Sequence, residues 1–230
     1  QEYDLPFTEQ PSLVKRFISV GNNQSFLVAA DNAKWVVRIN REAFQLGVNR
    51  ERELLIHRRA AEDGLAPDIK YHSRGILITR YVVGQSFSPA RADPQLNRTI
   101  IEQTKKIHKI DIELPDFDYR KQFLLLDSAE APSQEIDDAI ELMESRGKRV
   151  LCHHDLSPEN ILLTHNGAIF IDWEYAGRGI DAMDFATLVC DCEIPSGAIV
   201  SQAGIAPDTL EAACRVYRAL CEKWSVKSSL

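Results

Sequence analysis

The chain lacks an excess of basic charge, a cysteine pair at metal or redox spacing, and any long apolar run, and each absence removes a class of function. Its 27 Lys and Arg stand against 34 Asp and Glu, a formal net charge of -7. A nucleic-acid partner is not expected, because neutralising backbone phosphates takes clustered Lys and Arg. The five cysteines, Cys152, Cys190, Cys192, Cys214 and Cys221, are odd in number and include no C-x-x-C. Reduced thiols in a cytoplasmic protein are therefore expected, with Cys190 and Cys192 as core residues rather than metal ligands. No stretch reaches the ~20 apolar residues of a bilayer span. The opening QEYDLPFTEQ carries neither the basic nor the apolar region of a signal peptide, so a membrane partner is not expected either. Internal repeats and low-complexity tracts are also missing.

What is present is enough for a core: 230 residues, 44% hydrophobic and 27% charged, suit one compact domain or two small lobes. Three β-type runs, Lys15 to Val20, Ser25 to Ala30 and Lys34 to Ile39, are separated by the turn formers GNNQ and ADNA, which predicts consecutive antiparallel strands. NRERELLIHRRAAEDG reads as a helix stopped by Gly64, and strands follow at Ile69 to His72 and Gly75 to Tyr81. From about Ser88 helices dominate: Pro94 to Ile110, Ser133 to Arg146, and a last one over DTLEAACRVYRALCEKW. ELPDFDYRKQF between the first two reads as a loop, and IFIDWEY, Ile169 to Tyr175, as a short buried strand with a polar end. The expected architecture is α+β, with a small antiparallel-sheet lobe over residues 1–84 and a mainly helical lobe over 85–230. The boundary is set at Val83 to Gln85, where Gly84 permits a hinge.

The stretch HHDLSPENILL carries the chemistry. His153, Asp155 and Asn160 fit H-x-D-x-x-x-x-N, and Asp172 follows at the end of a second apolar run. A polar turn explains Asp, Ser, Pro and Asn individually. It does not explain their register, nor a second carboxylate behind two apolar segments. Phosphoryl transfer does: one carboxylate takes the proton of an attacking hydroxyl, while another carboxylate and an amide oxygen hold Mg²⁺ against nucleotide phosphates. Asp155 suits the first role, Asn160 and Asp172 the second, and His153 is read as a residue that ties the loop down.

These motifs resemble the protein-kinase-like superfamily, whose catalytic loop reads H-R-D-L-x-x-x-N and whose metal-binding D-F-G corresponds to IDWE here. Ser157, where Ser/Thr kinases usually carry Lys, and the absence of A-P-E point to its small-molecule branch, the aminoglycoside phosphotransferases and the choline/ethanolamine and thiamine kinases. DWEYAG, Asp172 to Gly177, is similar to the choline and thiamine members. The resemblance implies a bilobal protein-kinase-like fold, ATP and Mg²⁺ as cofactors, and a small-molecule alcohol as partner. It implies that Gly21, Asn22, Asn23, Gln24 and Ser25 close over the ATP phosphates in the first hairpin. Arg38 then stands where protein kinases have the nucleotide-binding Lys, with Glu53 or Glu51 as its acidic partner. Tyr81 to Val83 would receive adenine through backbone groups. Asp184 would support the catalytic loop and cap a helix.

A cationic alcohol calls for aromatic and acidic side chains, because quaternary nitrogen binds well over aromatic rings. Trp173, Tyr175, Tyr217 and Trp224 are the aromatic candidates, with Glu174, Asp191 and Glu193 as acids. The expected activity is ATP-dependent phosphorylation of a choline, ethanolamine or thiamine hydroxyl. The competing readings are an aminoglycoside phosphotransferase and a non-catalytic nucleotide-binding pseudokinase. Neither the acceptor alcohol nor the oligomeric state is legible.

Overall fold

The computed structural model describes residues 6–17, 23–40, 47–73, 75–127 and 131–228. The chain opens with β1 (Ser12–Arg16), β2 (Asn23–Ala30) and β3 (Ala33–Asn40), then α1 (Arg50–Glu62), β4 (Ile69–Ser73) and β5 (Ile76–Arg80). These strands form one antiparallel sheet in the order β1-β2-β3-β5-β4. The two-residue turn between β2 and β3 holds Asp31 and Asn32, both at positive φ, a conformation that Asn and Asp tolerate. Alternation along β2 and β3 sends Val28 and Val37 to the face that also buries Ile76 and Ile78. Asn49 caps α1 by accepting from the amides of Glu51 and Arg52, at 3.1 and 3.0 Å.

The chain then crosses to β6 (Gln85–Ser86), which pairs with a strand far along the sequence. It continues through α2 (Pro94–Ile107), α3 (Tyr119–Leu126), α4 (Gln134–Arg146), β7 (Arg149–Cys152), β8 (Ile161–Thr164), β9 (Gly167–Phe170), β10 (Gly177–Ile180), α5 (Asp181–Cys190), α6 (Ser196–Ala203) and α7 (Pro207–Ser228). β6, β8 and β9 form one small sheet and β7 with β10 another. Between these two sheets runs the segment 153–160. α2, α4, α5 and α7 enclose the main core, in which Ile100, Ile140, Phe170, Phe185 and Val216 are buried.

Several sequence expectations change. ELPDFDYRKQF is not wholly a loop, because Asp118 caps α3 through the amide of Lys121 at 2.9 Å and Tyr119, Phe123 and Leu126 bury one face. IFIDWEY is not strand throughout: β9 ends at Phe170, and Asp172 turns the chain with φ 63° and ψ 66° into a short 3₁₀ turn, Trp173–Tyr175. β10 and α6 have no counterpart among the expected elements. Gly84 permits a close approach, since a Cβ there would lie 2.7 Å from the carbonyl oxygen of Leu163. The run Lys15 to Val20 overlaps β1 at Lys15 and Arg16, the strand beginning earlier at Ser12, and Ile18, Ser19 and Val20 lie outside the described residues.

Candidate active site

The loop after β7 is held from beneath by Asp184, buried on α5. Its carboxylate accepts from the backbone amides of His153 (3.0 Å) and His154 (2.8 Å) and from Nε2 of His108 (2.9 Å). Burial pushes Asp184 up, but the His108 hydrogen bond and charge, with the loop amides, hold it below the usual carboxylate range. The anion is thereby fixed as an acceptor. His153 donates from Nε2 to the carbonyl of Ile171 at 3.1 Å, and burial lowers its pKa to about 4, so it is neutral and joins the loop to the strand that leads into Asp172. His154, at φ 64°, bonds the carbonyl of Tyr175 through Nδ1 at 3.2 Å and meets the Tyr119 hydroxyl through Nε2 at 3.2 Å. With these ties made, Asp155 and Asn160 are fixed. Asn160 donates from Nδ2 to the carbonyl oxygen and to Oδ2 of Asp155, at 3.0 and 2.8 Å, so that its Oδ1 is the atom it could offer to a metal.

Facing the loop is a cross-lobe network of charge. Arg38 on β3 pairs with Glu53 on α1 and, at 2.9 Å, with Asp172. Arg50 on α1 pairs with Glu53 at 2.7 Å and with Glu174 at 2.9 Å. Asn23 donates to the same Glu174 oxygen at 3.0 Å and accepts from Arg50 at 3.2 Å. Three carboxylates, Glu53, Asp172 and Glu174, thus pair with two guanidiniums, and Asp155 adds a fourth whose charge meets those of Asp172 and Glu174. The imbalance shows in their acidity. Asp155 is raised to about 7 by burial and then by the charges of Asp172, Glu174 and Asp191. Asp172 is raised to about 6 by burial, with Arg38 opposing and Glu174 and Glu53 adding. Hard oxygen donors carrying a formal surplus of two negative charges fit a Mg²⁺ ion, which Asp172, Asn160 Oδ1 and Glu174 would hold.

α5 packs along α7. The Tyr217 hydroxyl donates to Asp191 at 2.5 Å, and the Asp191 charge acts on Asp155. Tyr175 is half-buried and its acidity is suppressed by burial, then by Glu174 and Asp155. Trp224 is half-buried two turns beyond Tyr217 on the same face of α7.

The expected residues fall into three groups. Asp155, Asn160, Asp172, Glu174, Arg38 and Glu53 are brought together, with Glu53 rather than exposed Glu51 on Arg38. Asn23 joins them, but through Glu174 and Arg50. Gln24 and Ser25 sit half-buried in β2, and Gly21 and Asn22 lie outside the described residues. Two expectations are corrected. Trp173 is fully buried and donates to the carbonyl of Phe170 at 3.1 Å, which makes it core rather than a substrate contact. Asp184 stands inside α5 and does not cap it. In the linker, the Tyr81 amide donates to the carbonyl of Lys34 at 3.0 Å, and Val83 is 81% exposed at the crossing. Sequence reasoning missed Arg50, whose three-residue offset from Glu53 on α1 was the available signal, and His108 and Tyr119, for which the sequence offered none.

A five-strand antiparallel sheet over a helical lobe, with this loop and carboxylate cluster between them, defines the class: a protein-kinase-like phosphotransferase fold. Residues 14–222 match the family described as the phosphotransferase enzyme family, and the chain belongs to it. It is 28% identical to Protein LicA of Haemophilus influenzae over 206 residues, 79% of this chain and 60% of that protein. It thus spans less than two thirds of that relative's length. Among solved structures it is similar to the choline kinase LicA from Streptococcus pneumoniae, with TM-score 0.76 and 19% identity over 93% of this chain and 84% of that one. A LicA structure in complex with AMP gives TM-score 0.74 and 18% identity, covering 97% and 86%.

Proposed function

We propose that the protein transfers the γ-phosphoryl group of ATP to the hydroxyl of a small cationic alcohol, with choline as the first candidate and ethanolamine and thiamine next. The observation that carries this reading is Asp155: a carboxylate raised to about 7, held by Asn160, and set between a carboxylate cluster suited to metal-bound phosphates and the Asp191–Tyr217 pair. A general base works best when its pKa is near the working pH. As the alcohol oxygen bonds to phosphorus and the bond to the ADP oxygen breaks, the hydroxyl proton passes to Asp155. Bound Mg²⁺ supplies neutralisation of the phosphate oxygens. Arg38 and Arg50 hold Asp172 and Glu174 in place, and Asn160 orients the Asp155 carboxyl. Asp191, Tyr217, Tyr175 and Trp224 supply the negative charge and ring faces that a quaternary nitrogen prefers. The AMP held by a LicA supports the nucleotide, and the choline kinase likeness supports the acceptor.

The test is ATP consumption with choline, ethanolamine, thiamine and kanamycin in parallel, with Asp155→Ala as the control. Turnover of choline, lost with Asp155→Ala by about 10²–10⁴-fold, is the expected result. Preference for kanamycin would assign an aminoglycoside phosphotransferase instead. Mg-ATP binding without turnover of any alcohol would leave a pseudokinase, and turnover surviving Asp155→Ala would remove the base.

A further inference from the structure

Three side chains with no reacting role in the chemistry proposed above converge at the anchor of the loop. His108 lies just past α2, Cys152 ends β7 and Asp184 sits within α5. A ring nitrogen of His108, Cys152 Sγ and a carboxylate oxygen of Asp184 all lie within 4.8 Å of one another, and His108 Nε2 is 2.9 Å from Asp184 Oδ2. The cluster is sheltered: Cys152 and Asp184 are fully buried, and the His108 side chain is 8% exposed, edge-on to Phe185 at 5.2 Å. A cavity of about 240 Å³ is lined by His108 together with Val150 and Leu151, which lead directly into Cys152. Arg149 and Arg178 also line it, and both are paired with Asp116, so their charge is already met.

We propose that His108, Cys152 and Asp184 bind a thiophilic divalent cation of the Zn²⁺ class, and that this cation loosens the loop that Asp184 anchors. The ligand set is the first reason. Nitrogen, sulfur and anionic oxygen together favour Zn²⁺ over Mg²⁺, because thiolate is a soft ligand. Spacing is the second. Ligand atoms around a tetrahedral zinc stand roughly 3.3–3.7 Å apart, so Cys152 needs to close by no more than about 1 Å and His108 to part slightly from Asp184. The third is support. Asp184 is oriented by the amides of His153 and His154, and the cavity gives a route as far as His108 and room for a water as fourth ligand. The Cys152 thiol has weak partners to give up, the carbonyls of Ile180 at 3.4 Å and Val150 at 3.8 Å.

On binding, Cys152 releases its thiol proton to solvent and bonds the metal as a thiolate. Burial, then the charges of Asp184 and Asp181, hold it as a thiol beforehand. His108 offers its Nε2 lone pair, its ring proton passing to Nδ1, and no electron is transferred. The metal takes the place of the His108 hydrogen on Asp184 Oδ2, the same oxygen that accepts from the His153 amide. Shared with a dication, that oxygen is a poorer acceptor, and the amide it held is released toward exchange with solvent. The loosened segment begins two residues before Asp155. A slower phosphoryl transfer is the consequence, and it rests on the function proposed above; the cation site does not.

The experiment titrates the full chain, stripped with a chelator and held in excess Mg²⁺ to fill the carboxylate cluster, with Co²⁺ as a spectroscopic stand-in and then with Zn²⁺. The expected result is a near-ultraviolet thiolate-to-cobalt band with the visible bands of a tetrahedral site, saturating at one equivalent and bleached by Zn²⁺. Cys152→Ser should abolish the band. His108→Gln, whose amide can still donate to Asp184, should weaken cobalt binding by at least about 10-fold, and it decides the matter alone if the Cys152 variant does not fold. Hydrogen exchange read by mass spectrometry should show Zn²⁺ speeding exchange in a peptide spanning residues 150–160 of the parent and not of Cys152→Ser. Zn²⁺ should also slow turnover by about 5-fold or more at saturating Mg²⁺ and ATP. A band that survives both substitutions belongs to another thiol and overturns the proposal, as does the absence of any band or a bound metal that leaves loop exchange unaltered. If the metal-free chain turns over no alcohol while the band and the exchange change appear, the proposed function fails and the cation site stands.

Discussion

Asp155 meets two opposed demands, ionisation for catalysis and burial among other carboxylates. Its pKa of about 7 against the ordinary 3.8 means the folded protein binds more protons than the unfolded chain between those values. Stability contributed by the protonated form is complete below about pH 3.8 and is lost as pH rises through 7. Asp155→Asn keeps an acceptor for Asn160 and removes the ionised form. It should raise the melting temperature more at pH 8 than at pH 5, by on the order of 2–4 °C for each kcal/mol relieved. The same substitution should reduce turnover by about 10²–10⁴-fold. In the parent, kcat/KM should fall on the acid side of pH 7, where the base is protonated. Calorimetric melting at both pH values, with a pH–rate profile, checks the two halves together; a melting temperature unchanged at pH 8 would show that the carboxyl is not under strain.

At the scale of elements, the catalytic loop depends on three that contribute no reacting group. β7 feeds it, α5 anchors it through Asp184, and β10 lies beneath His154. Gly179 on β10 shows how tight this packing is: a Cβ there would collide with His154 Nε2 and come within 2.6 Å of the Tyr119 hydroxyl. Gly179→Ala should force His154 and its φ of 64° to move, and with them the neighbouring Asp155. The expected outcome is turnover slowed by about 10-fold or more, together with a loss of about 1–3 kcal/mol in urea unfolding. The loop motif and the first five strands were legible because each is written locally, in spacing, alternation and turn residues. α3 was not, because Pro115 and three aspartates around it suggest loop, and only the buried neighbours of Tyr119 and Phe123 reveal a helix. Trp173 was misread for the same reason: its position beside Asp172 suggested a ligand, while the turn that buries it depends on left-handed backbone at Asp172, which no pattern of residue types signals.

Across the whole molecule, the two lobes are joined by opposite charges drawn from distant parts of the chain, Arg38 to Asp172 and Arg50 to Glu174. No local pattern encodes such pairs: the offset of Arg50 from Glu53 on α1 could have placed the two side by side, but not either of them against Glu174. Four carboxylates against two guanidiniums make the nucleotide-free junction a formal two charges too negative at pH 8, and that surplus can be relieved by ligand as well as by proton. Mg²⁺ with ADP, binding the folded chain at 100 times its Kd, should stabilise it by about 2.7 kcal/mol, or about 5–10 °C in melting temperature. Arg50→Gln removes one of the two cations and leaves Glu174 with Asn23 as its remaining polar contact across the lobes. At pH 8 this variant should melt below the parent without ligand, because carboxylates repel when a buried partner is removed. It should also gain more from excess Mg²⁺ at fixed ADP than the parent does, since the metal then replaces the missing charge. Melting curves for both proteins over a Mg²⁺ series decide the matter. Equal gains would place Arg50 outside the electrostatics of the site, as a contact between lobes alone, whereas a larger gain in the variant means that guanidinium and metal neutralise the same carboxylates.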